Sequence, residues 1–412
     1  MTHKVYNLCI SFLSLILPVI GIFLKKIREF IRVRRGGFKL LSHKIGTQNK
    51  YAWFHFASLG EFNQARYFLS KFKQKHPQYS IVISFFSSSG YNAIKNNSIA
   101  DVVTYFPIDS PTNAEKFIRI INPEIAIFTK YEFWLNHLHE LNKRKIPTIL
   151  ISAIINENLG FAPRIYSKLV RKNLQYFSKI FTQDQASIET LSKWNFSNTF
   201  LSGDTRVDSV LQNILITKKY TWVEKFKCGG AIWIAGSTWE SDEKLISEVF
   251  KQLTGVRLIL APHNVEESNI QRILRLFPES IRYTNIHALN SERIIIIDKI
   301  GELASLYRFS DFAHIGGGFG AGIHNTLEPA VFGNPITFGP KYKKFPEAVS
   351  LKEMDCAFEI NSPSELLEII NTKLRVDSYK DQTKLTLSNY FNQHKGASDK
   401  ILKEIEEIFP NS

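Results

Sequence analysis

The chain has 412 residues, with 52 Lys or Arg against 38 Asp or Glu and a formal net charge of +14. Hydrophobic residues at 44% and charged residues at 22% describe a folded globular protein and exclude disordered and fibrous classes, and the length predicts two domains of ordinary size. Cys9, Cys228 and Cys356 lie far apart without CxxC spacing, which argues against a disulfide framework or a zinc site and fits a reducing compartment.

Residues 5–24, VYNLCISFLSLILPVIGIFL, carry no charge, and twenty apolar residues suffice to cross a bilayer as a helix. Lys25, Lys26, Arg28, Arg32, Arg34 and Arg35 follow at once; by the positive-inside tendency they keep the rest of the chain in the cytoplasm. The only basic residues ahead of the apolar run are His3 and Lys4, and the cluster of charges lies behind it, so it reads as an uncleaved anchor and not as a signal peptide. Two placements stay open: spanning the bilayer, or lying in the interface with the basic flank on anionic headgroups, since Pro18 and Gly21 can break the helix. Residues 1–50 hold ten Lys or Arg against one acidic residue, leaving 42 basic and 37 acidic residues in the other 362. That mild surplus argues against nucleic acid as a partner.

Past residue 50, short apolar runs of strand type alternate with helical patterns. Strands are expected at 51–57, 80–86, 101–107, 125–130, 147–153 and 179–183, and after a charged interruption at 218–227 again at 231–236, 256–261, 293–298, 312–316, 335–339 and 356–360. Strict alternation means βαβ units and parallel sheets. The expected fold is α/β, with two Rossmann-like doubly wound domains facing across a cleft and an N-terminal membrane-anchor helix. The boundaries read as 1–35 for the anchor and its basic flank, 36–217 for the first domain and 218–412 for the second.

Ligands of such sheets sit where strands lead into helices. In HFASLGEFNQA, residues 55–65, Glu61 stands directly behind Gly60 at a strand-to-helix turn. A carboxylate there either complements the helix dipole or faces a ligand. In IAGSTWESDE, Ser237 and Thr238 read as a hydroxyl cap followed by acids, and with Gly236 they also offer donors to a phosphate or a sugar carboxylate. LAPHNVEE places His263 and Asn264 at a helix start. Residues 314–340 hold Gly316, Gly317, Gly318, Gly320 and Gly322 before a helix expected near Asn325, whose N–H groups would point back into the loop. Glu328, one turn in, is placed to accept ribose hydroxyls. No GK[ST] occurs, and no GxGxxG stands at the first strand-to-helix turn, which disfavours P-loop and dehydrogenase readings.

Together SLGE, KYEFWLN, SGDTRVD, GSTWESDE, APHNVEE, DKIGELASLYRFSDFAHIGGG and GIHNTLEPAVFGNPITFGP resemble the 3-deoxy-D-manno-octulosonic acid (Kdo) transferases of lipopolysaccharide biosynthesis, with gaps, from the anchor to about residue 350. The resemblance implies a GT-B glycosyltransferase at the inner membrane, catalytic domains on the cytoplasmic side. It would transfer Kdo from CMP-Kdo to a lipid A precursor (lipid IVA) with inversion, using no metal and no cofactor beyond the donor. An alternative is another GT-B envelope enzyme using a UDP-sugar. By the resemblance the first domain receives the acceptor and the second holds CMP. Glu61 matches the general base and Glu132 a second important carboxylate. Ser58, Gly60, Gly236, Ser237 and Thr238 fall in substrate-binding turns. Pro262, His263, Ile300, Gly301, Glu302, Asn325, Thr326, Leu327 and Glu328 match CMP-binding positions. Two departures stand out: many members carry Pro-Arg-His where this chain has Pro262-His263-Asn264, and many carry Pro at Thr326. Phosphate affinity is expected either to be weaker or to be supplied by another group, such as Lys341, Lys343 or Lys344. The helix start is expected to lower the pKa of Glu61, and residues 1–35 are expected to anchor without taking part in catalysis.

Overall fold

The computed structural model describes residues 3–46, 48–130, 132–156, 163–215 and 218–409. It divides into two compact units, residues 1–209 with 394–412, and residues 210–393.

Unit 1 holds a seven-stranded sheet built from β1 (Lys50–Phe56), β2 (Tyr79–Phe85), β3 (Val102–Tyr105), β4 (Ile125–Thr129), β5 (Thr148–Ala153), β6 (Lys179–Thr182) and β7 (Thr199–Leu201). The order is β3-β2-β1-β4-β5-β6-β7, and every pairing is parallel. Helices cover both faces, so the central strands are buried almost throughout, as continuous apolar runs require. Alternation splits the core in two: Trp53 joins Phe106, Phe117 and Phe128 on one face, and Phe54 and Phe56 join Phe62, Phe68, Phe72 and Phe85 on the other.

Unit 2 repeats the plan with β8 (Ala231–Thr238), β9 (Val256–Pro262), β10 (Ser280–Arg282), β11 (Ile294–Ile296), β12 (Phe312–Ile315), β13 (Ile336–Phe338) and β14 (Ala357–Glu359), ordered β10-β11-β9-β8-β12-β13-β14 and again all parallel. The two strands not expected from the sequence, β7 and β10, are three-residue edge strands. Such short strands carry too little apolar periodicity to stand out.

Both outer boundaries differ from expectation. The C-terminal helix Ala397–Glu406 leaves unit 2 and packs Ile401, Leu402 and Ile405 into the core beneath Leu59–Lys75, so residues 394–412 belong with unit 1 and not with 218–393. Asp208 fixes this return by accepting the Gly396 and Ser398 N–H groups, both at 2.7 Å. The amphipathic pattern of that helix says that one face is buried but not against which sheet.

Residues 1–35 are likewise not a detachable module. Arg34, on the helix Lys25–Arg35, is buried: its Nε donates to the Phe106 carbonyl at 3.0 Å, its Nη2 to the Phe86 carbonyl, and its guanidinium lies 3.5 Å from the centre of the Phe30 ring. A cation so placed is unavailable to a lipid headgroup.

Candidate active site

The strand order of sheet 1 reverses between β1 and β4, and doubly wound sheets bind ligands at that point, beyond the strand carboxyl ends. The turn after β1 carries Ser58, Gly60 and Glu61, and the turn after β4 carries Lys130 and Glu132. The two sequence-flagged carboxylates therefore come from adjacent strands paired at Ala52–His55 with Ile125–Phe128.

Ser58 caps the helix Leu59–Lys75, and Glu61 closes a capping box: its Oε2 accepts the Ser58 N–H at 2.6 Å and the Ser58 hydroxyl at 3.0 Å. Those bonds favour the carboxylate, as does the charge of Lys130. Burial and, second, the charge of Glu132 act against it and prevail, so the Glu61 pKa lies above its ordinary value. This corrects the sequence expectation, which weighed the helix terminus and could not see the desolvation. Gly60 is exposed, and the nearest atom to a methyl placed there would be Ser58 Oγ at 3.5 Å, so the fold itself does not demand glycine.

Glu132 is buried and strongly held. Its Oε2 is reached by His55 Nε2 at 3.1 Å and by the Trp134 indole N–H. His55 Nδ1 lies 2.8 Å from Ser84 Oγ, which also accepts the Trp53 indole at 2.8 Å. One proton arrangement satisfies the chain: Trp53 donates to Ser84, Ser84 to His55 Nδ1, and His55 Nε2–H to the carboxylate. Each carboxylate thus has two donors on one oxygen, Glu61 from its own capping residue Ser58 and Glu132 from His55 and Trp134. Lys130 sits at φ +64°, in the left-handed region uncommon for a side chain of this kind. His55 and Lys130 were not singled out from the sequence, because a buried strand histidine and a lysine after a strand are ordinary when read alone.

In unit 2 the order reverses between β8 and β12. The turns meeting there are Gly236-Ser237-Thr238 and the glycine loop from Gly316. A Cβ on Gly316 would lie 2.4 Å from the Ser237 carbonyl oxygen, and one on Gly236 would lie 1.9 Å from the Tyr307 hydroxyl. Ser237 (φ +54°) and Gly317 (φ +92°) are left-handed. Asp242 ties the two turns together: one oxygen accepts Trp239 N–H at 2.8 Å and Gly317 N–H at 3.0 Å, and the other faces His314 Nε2 at 3.4 Å. Burial would raise the Asp242 pKa, but His314 and these N–H groups hold it below its ordinary value.

The expected hydroxyl cap is corrected here. Trp239 is the N-cap residue of Glu240–Phe250, and Thr238 instead donates to the buried Glu243 at 3.1 Å.

The CMP-type positions fall on neighbouring loops of the same unit. Pro262 ends β9, and the His263 N–H donates to the Thr238 carbonyl at 2.9 Å. The His263 ring stacks at 4.6 Å on Trp239 and at 4.6 Å on His324, while the Trp239 indole donates to His324 Nε2 at 3.1 Å. Burial lowers the His263 pKa, and burial plus the nearby His263 charge lower that of His324 to about 4, so both are neutral at pH 7.

Ile300 is exposed and Gly301 has φ +94°. Burial works against the Glu302 carboxylate, but bonds from Tyr220 (2.7 Å) and Lys218 (3.2 Å) hold its pKa below the ordinary value. Lys341 donates its backbone N–H to the Gly318 carbonyl at 2.9 Å, which fixes this exposed lysine beside the glycine loop.

The helix expected near Asn325 is the single turn Leu327–Ala330, with Thr326 at its N-cap, and is too short to supply a useful dipole. The polar groups there are side chains: Asn325 Oδ1 accepts Leu327 N–H at 3.0 Å, and Asn325 Nδ2 donates to Glu328 at 3.2 Å. Burial raises the Glu328 pKa despite that bond. Among the described residues no group of three or more His, Cys, Asp or Glu side chains is placed to hold a metal ion.

Solved structures share this architecture: a UDP-GlcNAc 2-epimerase from Neisseria meningitidis aligns at TM-score 0.62 and 12% identity over 87% of this chain and all of that one, and the calicheamicin glycosyltransferase CalG4 at 0.56 and 10% over 88% and all. With the sequence relatives below, the two parallel sheets and their switch-point turns define a GT-B glycosyltransferase. The family model for 3-deoxy-D-manno-octulosonic-acid transferase matches residues 32–209. The 3-deoxy-D-manno-octulosonic acid transferase of Haemophilus influenzae is 28% identical over 84% of both chains, that of Aquifex aeolicus 26% over 79% of this chain and 86% of its own, and that of Rickettsia bellii 23% over 97% and 98%. Along most of its length the chain is thus similar to the Kdo transferases.

Proposed function

We propose that the protein transfers Kdo from CMP-Kdo to a lipid A precursor, with Glu61 as general base and the loops of unit 2 as the nucleotide site. The observation that carries the reading is the Glu61 carboxylate at the sheet 1 switch point, its basicity raised by burial and by Glu132. CMP is a good leaving group, so the demanding step is removal of the acceptor hydroxyl proton as an oxocarbenium-like centre develops on Kdo. A stronger base on a rigid helix start suits that step, and direct displacement inverts the anomeric centre. Glu132, held by His55 and Trp134, positions and tunes. His263, neutral and stacked, is a poor phosphate partner, which leaves Lys341 beside the glycine loop as the cation assigned to the donor. The donor assay tests the reading: CMP is released from CMP-Kdo in the presence of acceptor, whereas release of UDP from a UDP-sugar with CMP-Kdo untouched contradicts it.

The base works only when ionised, so activity falls as pH drops through its pKa, and a raised pKa moves that fall to higher pH than for an exposed glutamate. Because Lys130 pulls the Glu61 pKa down, Lys130→Met moves the acid limb of the pH–rate profile further up; an unmoved limb removes Glu61 from the titrating role. In unit 2, Glu328→Gln weakens CMP binding by about 1 to 3 kcal/mol, the cost of losing a charged acceptor, with folding retained. Calorimetric titration of CMP reads this directly, and unchanged affinity rules the ribose contact out.

A further inference from the structure

We infer that the helix His3–Phe23 does not cross a bilayer but lies along one leaflet, with its two ends and the folded unit on the same side of the membrane. By length and composition this helix passes as a membrane span. Its connections forbid it. At its start, the Tyr6 hydroxyl donates to buried Asp109 at 2.7 Å, and His3 Nε2 lies 2.9 Å from Asn136 Oδ1. Asp109 also accepts the Asn136 and His137 N–H groups at 3.1 and 3.0 Å. The first turns are therefore built into unit 1 at the start of the helix Leu135–Lys143.

At the other end, the chain turns at Leu24 into Lys25–Arg35 and folds back on itself. A Cβ on Gly21 would lie 3.3 Å from Ile31 Cδ1 and 3.4 Å from Arg28 Cα, and Arg28 Nε donates to the Gly21 carbonyl at 2.9 Å, capping the apolar helix. Ten residues on, Arg34 is buried under Phe86 and Phe106 of unit 1. Ten helical residues reach about 15 Å, whereas the hydrocarbon core is about 30 Å thick. The far end of the apolar helix is thus too close to the interior of unit 1 to sit beyond a bilayer.

The exposure pattern agrees with a helix lying flat. Leu8, Phe12, Leu15, Val19 and Ile22, spaced four and three apart, form the outward stripe and are each more than half exposed, at 71%, 64%, 74%, 56% and 64%. His3, Ile10, Ser14, Leu17 and Gly21 form the opposite, less exposed stripe. Water does not keep such a stripe bare. Lys25, Arg28 and Arg32 are exposed beside it, so the occupant that fits is one leaflet of an anionic phospholipid bilayer, entered about 5 to 10 Å deep. The contacts with Asp109 and Arg34 set this depth relative to unit 1, whichever sugar the enzyme transfers.

Sidedness tests the inference without reference to catalysis. The full-length chain is expressed with Lys4→Cys, Cys9→Ser and Cys228→Ser, and in parallel with Cys9→Ser alone, which keeps the natural exposed Cys228; buried Cys356 stays in both. Sealed membrane vesicles are treated with a membrane-impermeant maleimide before and after detergent. The expected result is labelling of position 4 and of Cys228 from the same side. Labelling from opposite sides overturns the inference, as does recovery of the chain in a detergent-free soluble fraction. A nitroxide on Leu15→Cys gives a second reading: a depth near the headgroup boundary supports the leaflet placement, and a depth at the bilayer centre contradicts it.

Discussion

Glu61→Gln lowers the transfer rate by at least about a hundredfold, within the usual range for removing a general base, while folding and CMP affinity persist. Gln keeps an oxygen that accepts the Ser58 N–H, so the capping box survives in part and the start of Leu59–Lys75 is retained. The CMP-type positions lie in the other unit, and the substitution touches none of them. If Glu61 served only its helix terminus, the same change would cost under about 1 kcal/mol of stability and leave turnover nearly intact. Steady-state rates at saturating CMP-Kdo and acceptor separate the two outcomes. Near-normal turnover would transfer the base role to Glu132, despite its bonds to His55 and Trp134.

Gly316→Ala damages unit 2 where its two ligand turns meet. The added methyl would lie 2.4 Å from the Ser237 carbonyl oxygen and 2.6 Å from the Thr238 Cα. Those are main-chain atoms at the end of a buried strand, and no side chain can swing aside to make room. Overpacking of this kind costs about 1 to 3 kcal/mol, and relief requires the glycine loop to move off the Gly236–Thr238 turn. The expected result is a lower urea midpoint together with a loss of CMP affinity of more than tenfold. Gly320→Ala is the control: its nearest neighbour to a new methyl is the Gly317 carbonyl oxygen at 3.6 Å, so CMP binding changes little. Equal effects of the two substitutions would contradict the close approach at Gly316.

Much of this arrangement was legible in the sequence because parallel, doubly covered strands are written as unbroken apolar runs and their ligand turns as glycine and polar clusters. Glu61 was found for that reason and Glu132 through the resemblance carried by KYEFWLN, and the sheet order places both at one reversal. What stayed hidden depends on contacts between distant segments. The raised pKa of Glu61 depends on burial by its neighbours and on the charge of Glu132, which follows the adjacent strand. Asp242 passed as one acid among three, although it alone holds Gly317. His55 gains meaning only opposite Glu132, a residue 77 positions away. The return of Ala397–Glu406 to unit 1 depends on Asp208, which no local pattern marks. The basic flank illustrates the same limit: a cluster of six cations suggested headgroup contacts, yet Arg34 folds inward onto the carbonyls of Phe86 and Phe106.

The central claim is the reaction itself. Incubation of the purified full-length protein with CMP-Kdo and a tetraacylated lipid A precursor, followed by mass spectrometry of the lipid, tests it most directly. The account predicts a lipid heavier by whole Kdo residues, formed by the unaltered chain and nearly absent with Glu61→Gln. An unmodified lipid from a protein that binds CMP-Kdo and remains folded would contradict it.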